Sequence, residues 1–143
     1  DMLFGCDLCQ EVCPVNQNRG KVTEHVEFRS NEQEAGFNLG DILMMDEKTF
    51  QDRFKNSPVR RATRIGLQRN ACIVLGNSKD RKTVNLLAYA LSKGEPLVRE
   101  HAAWALGQVG GKTAIENLEA ALVLECTDSV RVEISDAIDL LVN

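Results

Sequence analysis

Aromatic side chains make up 5% of this chain and histidine occurs twice. With only His25 and His101, no paired-histidine metal site can be written. Trp104 and Tyr89 lie outside the stretch where the basic residues gather, so a base-stacking platform for single strands is not encoded there. No window approaches the roughly 18 uninterrupted apolar residues of a membrane span. The five cysteines are an odd count with two of them in a tight pair, and no signal-peptide pattern is read in the sequence given. That pattern argues against a disulfide scaffold and for a reducing, cytoplasmic setting as the expectation.

Three of the cysteines carry chemistry. Cys6, Cys9 and Cys13 precede Pro14 in a C-x2-C-x3-C-P run, the second half of a bacterial ferredoxin motif. The full motif needs a cysteine at position 3, where this chain has Leu3. A [4Fe–4S] cluster takes four thiolates, and the cysteine before proline ligates the other cluster in two-cluster ferredoxins. Three cysteines split between two sites complete neither, so the chain is expected to be a piece of a longer protein with further ligands upstream. Zinc is the alternative, but the second ligand pair is missing and His25 is the only nearby nitrogen. Unliganded thiols are the other alternative. Cys72 and Cys126 fall in apolar helical stretches and are expected in the core.

Charge divides the chain. Residues 1–52 hold 4 basic and 11 acidic side chains, residues 53–82 hold 9 and 1, and residues 83–143 hold 4 and 9. The overall charge of −4 thus conceals a basic block of Arg53, Lys55, Arg60, Arg61, Arg64, Arg69, Lys79, Arg81 and Lys82. Such a block is the footprint of a polyanion site. If residues 58–68 form one helix, Arg60, Arg61, Arg64 and Gln68 share an arc of about 100°. No carboxylate stands three or four residues away to neutralise them. Arg60, Arg61, Arg64, Arg69, Lys79, Arg81 and Lys82 are therefore the candidate phosphate contacts.

From residue 58 onward the sequence repeats. Asn70-Ala-Cys-Ile-Val-Leu-Gly76 aligns with His101-Ala-Ala-Trp-Ala-Leu-Gly107 at an offset of 31, as Leu87 and Leu91 do with Leu118 and Leu122. A third copy starts at Val130-Arg131, 32 residues after Val98-Arg99. The period predicts a mainly α chain, a short HEAT-like α-solenoid in which each helix pair buries its apolar face on the next. Leu75, Leu87, Leu91, Trp104, Leu106, Leu118 and Leu122 are the expected core. Ser57-Pro58 and Glu95-Pro96 read as helix starts, Gly76-Asn77 as a left-handed helix end, and Gly110-Gly111 as a break. Thr127 or Asp128 can cap the last helix. Residues 15–37 read as a loop that Phe28 and Phe37 could anchor. Two short helices follow, at Asn38–Met45 and from Asp46, the second carrying Phe50 and Phe54. The expected division is a cluster half-motif at 1–18, linker and short helices at 19–57, and repeats at 58–143.

In order along the chain, Phe4-Gly-Cys-Asp-Leu-Cys-Gln-Glu-Val-Cys-Pro-Val-Asn16, Phe50-Gln-Asp-Arg-Phe-Lys-Asn-Ser-Pro-Val-Arg-Arg61, Leu67-Gln-Arg-Asn70, Leu75-Gly-Asn77 and Val98-Arg-Glu-His-Ala102 resemble the C-terminal part of the epoxyqueuosine reductase family. The resemblance implies a cytoplasmic, cobalamin-dependent oxidoreductase that reduces epoxyqueuosine to queuosine in tRNA. Two [4Fe–4S] clusters would feed the cobalamin. It further implies that Cys6 and Cys9 serve one cluster and Cys13 the other, in the tail of a ferredoxin-like module. A cysteine farther upstream would replace the one absent at Leu3. The cobalamin site and catalytic acid would also lie upstream, so the fragment alone is expected to be inactive. The implied partners are tRNA and an electron donor, with a monomeric enzyme and no membrane. A ferredoxin-type carrier would explain the cysteines but not the repeats; a HEAT-like scaffold would explain the repeats but not the cysteines.

Overall fold

The computed structural model describes residues 2–20, 24–25 and 38–142, and every regular element among them is helical. Two short helices come first, α1 (Leu8–Glu11) and α2 (Pro14–Arg19), the second carrying proline in its first turn and Cys13 at its N-cap. Then follow α3 (Leu39–Met44) and α4 (Glu47–Arg53), whose capping carboxamide and carboxylate, Asn38 and Asp46, accept from Gly40 and Thr49 N–H. A 3-10 turn at Pro58–Ala62 leads into α5 (Thr63–Ser78), and a second at Arg81–Thr83 into α6 (Val84–Lys93). The remaining helices are α7 (Pro96–Val109), α8 (Lys112–Leu124) and α9 (Asp128–Val142).

Helices α5, α7 and α9 stack side by side as one layer, and α6 and α8 form a second layer over them. The packing follows the sequence register. Leu87, Leu106 and Leu118 are fully buried, Leu75 and Leu91 nearly so, and Trp104 and Leu122 pack half-buried against the same core. Each fully buried leucine contributes about 1.5–3 kcal/mol. Val130, Ile134 and Ala137 close the core from α9, with Ile138 and Leu141 at its margin. Phe50 and Phe54, ring centroids 5.1 Å apart, are also buried, so α4 contributes to the same core.

Equivalent repeat positions do equivalent work. Gln68 Nε2 donates to the carbonyls of Ile42, Leu43 and Met45 at the end of α3. Thirty-one residues on, Arg99 donates to the Gly94 carbonyl after α6, and Arg131 donates to the Leu122 and Glu125 carbonyls at the end of α8. Each side chain thus satisfies carbonyls that a helix terminus leaves open. Helix α3, packed on α5 and α6, occupies the place that a preceding unit's second helix would take.

Four local expectations differ from the structure. Residues 58–68 are not one helix: Thr63, at φ 61 and ψ 162, breaks the 3-10 turn from α5, and its Oγ1 accepts from Gly66 N–H at 3.2 Å. That backbone region is costly for a β-branched residue, which the local cap offsets in part. Gly76 does not end a helix; α5 runs on to Ser78 and Lys79 takes the left-handed position. A Cβ on Gly76 would lie 2.8 Å from Trp104 Cζ3 and 2.9 Å from Ala105 Cα, so glycine is there to let α7 approach. Cys126 is exposed, because α8 stops at Leu124 and the residue falls in the following loop. Residues 15–19 belong to α2 rather than to a loop. The expected anchors Phe28 and Phe37 lie outside the described residues.

Candidate nucleic-acid interface

The basic block folds into two exposed patches and a half-buried seam. Arg60 and Arg61 are exposed at the end of the 3-10 turn that Ser57 opens by accepting from Val59 N–H. Lys79, Arg81 and Lys82 are exposed at the opposite end of α5. Asp80, the single acid of the block, is turned to capping there: its carboxylate accepts from Lys82 N–H at 3.0 Å. Sixteen residues of α5 separate the two patches by about 24 Å. Among the described residues none of these five cations holds an ion pair.

Arg64 and Arg69 are used internally. Arg64 pairs with Glu47 at 3.1 Å and Glu95 at 3.3 Å, and donates to Gln68 Oε1 at 2.9 Å. The expected absence of neutralising carboxylates held only along the sequence. Gln51 first and Arg64 next keep the Glu47 carboxyl below its usual value. Arg69 donates twice to Asn70 Oδ1, at 3.1 and 2.8 Å, and so orients that amide to donate to the Leu3 carbonyl at 2.9 Å. Asn70 thereby ties the segment before Cys6 to α5.

Lys112 was missed in the sequence. It stands 31 residues after Arg81, in the equivalent turn, and both line a cleft of about 380 Å3 with Asn85, Gly110, Gly111 and Thr113. Gly110 and Gly111 have φ of 68 and 94, and the Arg81 guanidinium lies against Gly111 where a side chain would otherwise stand. Lys112 also reaches Glu116 at 3.8 Å, an exposed pair one turn on. The repeat register applied to charges as well as to leucines would have found it.

Cys6 and Cys9 are exposed and Cys13 is half-buried. Gly5, at φ 74, turns the chain into α1. Asn16 Nδ2 donates to the carbonyl and side chain of Gln10, and Gln17 Nε2 to the Glu11 carbonyl, so α2 folds back on α1 between Cys9 and Cys13. Among the described residues no three His, Cys, Asp or Glu side chains are grouped to hold a metal. The thiols fit a four-thiolate cluster only as part of ligand sets completed by other donors. Cys72 is different: burial pushes its thiol up to about 12, and it sits in the core as an inert hydrophobe.

The HEAT repeats family matches residues 57–139. An uncharacterised protein of Geobacillus stearothermophilus is 33% identical over 97% of this chain and 64% of its own length. An epoxyqueuosine reductase of Bacillus subtilis (strain 168) is 32% identical over 97% of this chain and 36% of its own. A crystal structure of epoxyqueuosine reductase with a tRNA-Tyr epoxyqueuosine-modified stem loop superposes with a TM-score of 0.88 at 31% identity, covering 99% of this chain and 38% of that one. The chain therefore spans from about a third to just under two thirds of the length of these relatives.

Proposed function

This chain belongs to the HEAT-repeat family, and from that premise we propose that it is the cysteine-bearing, tRNA-holding part of an epoxyqueuosine reductase, an oxidoreductase that converts epoxyqueuosine to queuosine in tRNA. One observation carries the reading: the likeness to epoxyqueuosine reductase extends over the cysteine segment and the repeats together, in one order and one fold. A carrier or a scaffold would need only one of the two.

In this reading residues 1–18 supply cluster ligands, 19–57 connect, and 58–143 hold RNA. Cys6 and Cys9 would ligate one [4Fe–4S] cluster and Cys13 the other, each set completed from the rest of the enzyme. When bound, the clusters supply one-electron transfer toward a cobalamin held outside this chain, from an electron donor that docks on the monomeric cytoplasmic enzyme. What this chain's own residues do is bind and orient. Arg60 and Arg61 at one end of α5, and Lys79, Arg81 and Lys82 at the other, with Lys112, contact phosphates. Their separation of about 24 Å is several nucleotide steps of an A-form helix, so the two patches grip separate stretches of a folded stem. Arg64 and Arg69 act from within, Arg64 by holding α5 to α4 and α7, and Arg69 by holding the cysteine segment through Asn70.

The test is binding of an anticodon stem loop by this chain, followed by fluorescence anisotropy across a salt series. Affinity should fall steeply with salt, and the double change Arg60→Glu with Arg61→Glu should lower the slope of log K against log salt by roughly two. Lys48→Glu, an exposed cation outside the block, should leave the slope unchanged within error. Salt-independent binding, or equal slopes for the double variant and the parent, would defeat the phosphate assignment.

A further inference from the structure

Between α5, α7 and α9 lies a cavity of about 290 Å3 walled by Ile73, Glu100, His101, Trp104 and Glu133. Its aromatic wall is fixed in place. The Trp104 ring edge rests on Gly76, so close that a single added Cβ would collide with it. Its charge is unbalanced: among the described residues neither Glu100 nor Glu133 holds an ion pair. The His101 Nδ1 is engaged elsewhere, donating to the Leu97 carbonyl at 3.0 Å. Burial first, then the charges of Asp136 and Glu100, push the Glu133 carboxyl above its usual value, against an opposing pull from His101.

Two carboxylates and an indole around one small concavity fit a cation with an apolar stem. The carboxylates accept from its N–H groups, and the ring face and Ile73 cover the stem. We propose that this cavity binds an organic cation, an ammonium or guanidinium on a short alkyl chain. Its volume of about 290 Å3 lies just below the roughly 300–1,000 Å3 of ligand cavities, the size for one amine head and its stem. Phosphate is excluded by like charge, so this site is separate from the RNA patches and does not depend on the function proposed above. The cation could be a free amine or a lysine side chain of a partner protein; the head group is common to both.

Trp104 is the only tryptophan of the chain, so its emission reports occupancy directly. The full chain would be titrated at constant ionic strength with n-butylammonium and, in parallel, with n-butanol of the same shape. The expected result is a saturable change with the ammonium and none with the alcohol. Glu133→Gln should weaken the ammonium about tenfold, as loss of one charge-assisted bond requires, with Glu100→Gln as the second variant. Glu119→Gln, outside the cavity, should leave binding as in the parent. A lysine-containing peptide that binds more tightly than butylammonium, and loses this on ε-acetylation, would identify a partner's lysine as occupant. Affinity no better than butylammonium's would identify a free amine. No saturable change, an equal response to the alcohol, or parental binding by both glutamine variants would overturn the proposal.

Discussion

Gln68 and Arg99 occupy the same position in successive repeats, and the two regions they fasten differ in how they use charge. In the first, a neutral amide does the fastening, bonded to three carbonyls of α3 and to Arg64. In the second, the task falls to a cation: Arg99 forms a two-bond pair with Glu125 at 2.8 and 2.9 Å and also donates to Thr127 Oγ1 and the Gly94 carbonyl. Arg131 is likewise tied to carbonyls. Among the described residues, the first region leaves Arg60, Arg61, Lys79, Arg81 and Lys82 without an ion pair on the surface, while both arginines of the second are bonded to backbone carbonyls. Availability of a cation therefore depends on what the neighbouring helix end requires, not on how many cations a segment holds.

The comparison breaks most sharply at Arg99. Arg99→Ala strands a Glu125 side chain that is only 9% exposed, and should cost about 3 kcal/mol in urea unfolding followed by circular dichroism. Gln68→Leu leaves the α3 carbonyls without their donor and should cost about 2 kcal/mol. Equal losses would mean that the charged fastening adds nothing to the neutral one.

Acid tests the same pair without mutation. The Arg99 guanidinium, ahead of the Thr127 bonds, holds the Glu125 carboxyl down to about 2. A depressed carboxyl contributes stability that is present in full above its ordinary value near 4.5 and lost as the pH falls toward 2. The loss should be on the order of 2–3 kcal/mol across that window and absent from Glu125→Gln. A parallel pH profile in that variant would remove the pair from acid unfolding.

Glycines at one repeat position give a smaller contrast. A Cβ at Gly76 meets Trp104 and Ala105 atoms at 2.8–2.9 Å, whereas at Gly107 it meets Ala137 atoms at 3.1 and 3.3 Å. Gly76→Ala should destabilise by about 2 kcal/mol and Gly107→Ala by under about 1 kcal/mol, since alanine's helix preference offsets the milder contact. The reverse order in thermal melts would place the tighter crossing between α7 and α9. Smallest is the stability effect of Arg60→Glu with Arg61→Glu, expected within about 0.5 kcal/mol because both side chains are exposed, even as RNA binding falls. A large stability loss would show that these arginines, too, are structural.

By itself the sequence determined the helices, their register and the leucines that fill the core. Those signals act within a turn or two, as apolar residues at helical spacing and as prolines and capping side chains at helix starts. The 31-residue period carries them from one unit to the next, so Leu87 and Leu118 take equivalent core places in successive units. Only the tertiary structure decided which charges remain outside. Glu47 in α4 and Glu95 at the N-cap of α7 stand 17 and 31 residues from Arg64, and meet it because of the way α4, α5 and α7 pack. The same packing requires glycine at position 76, and the continuous run of α5 parts the basic block into two patches. Backbone hydrogen bonds and side-chain periodicity are local to a segment, but ion pairing and steric fit depend on distances through space, which stacking sets.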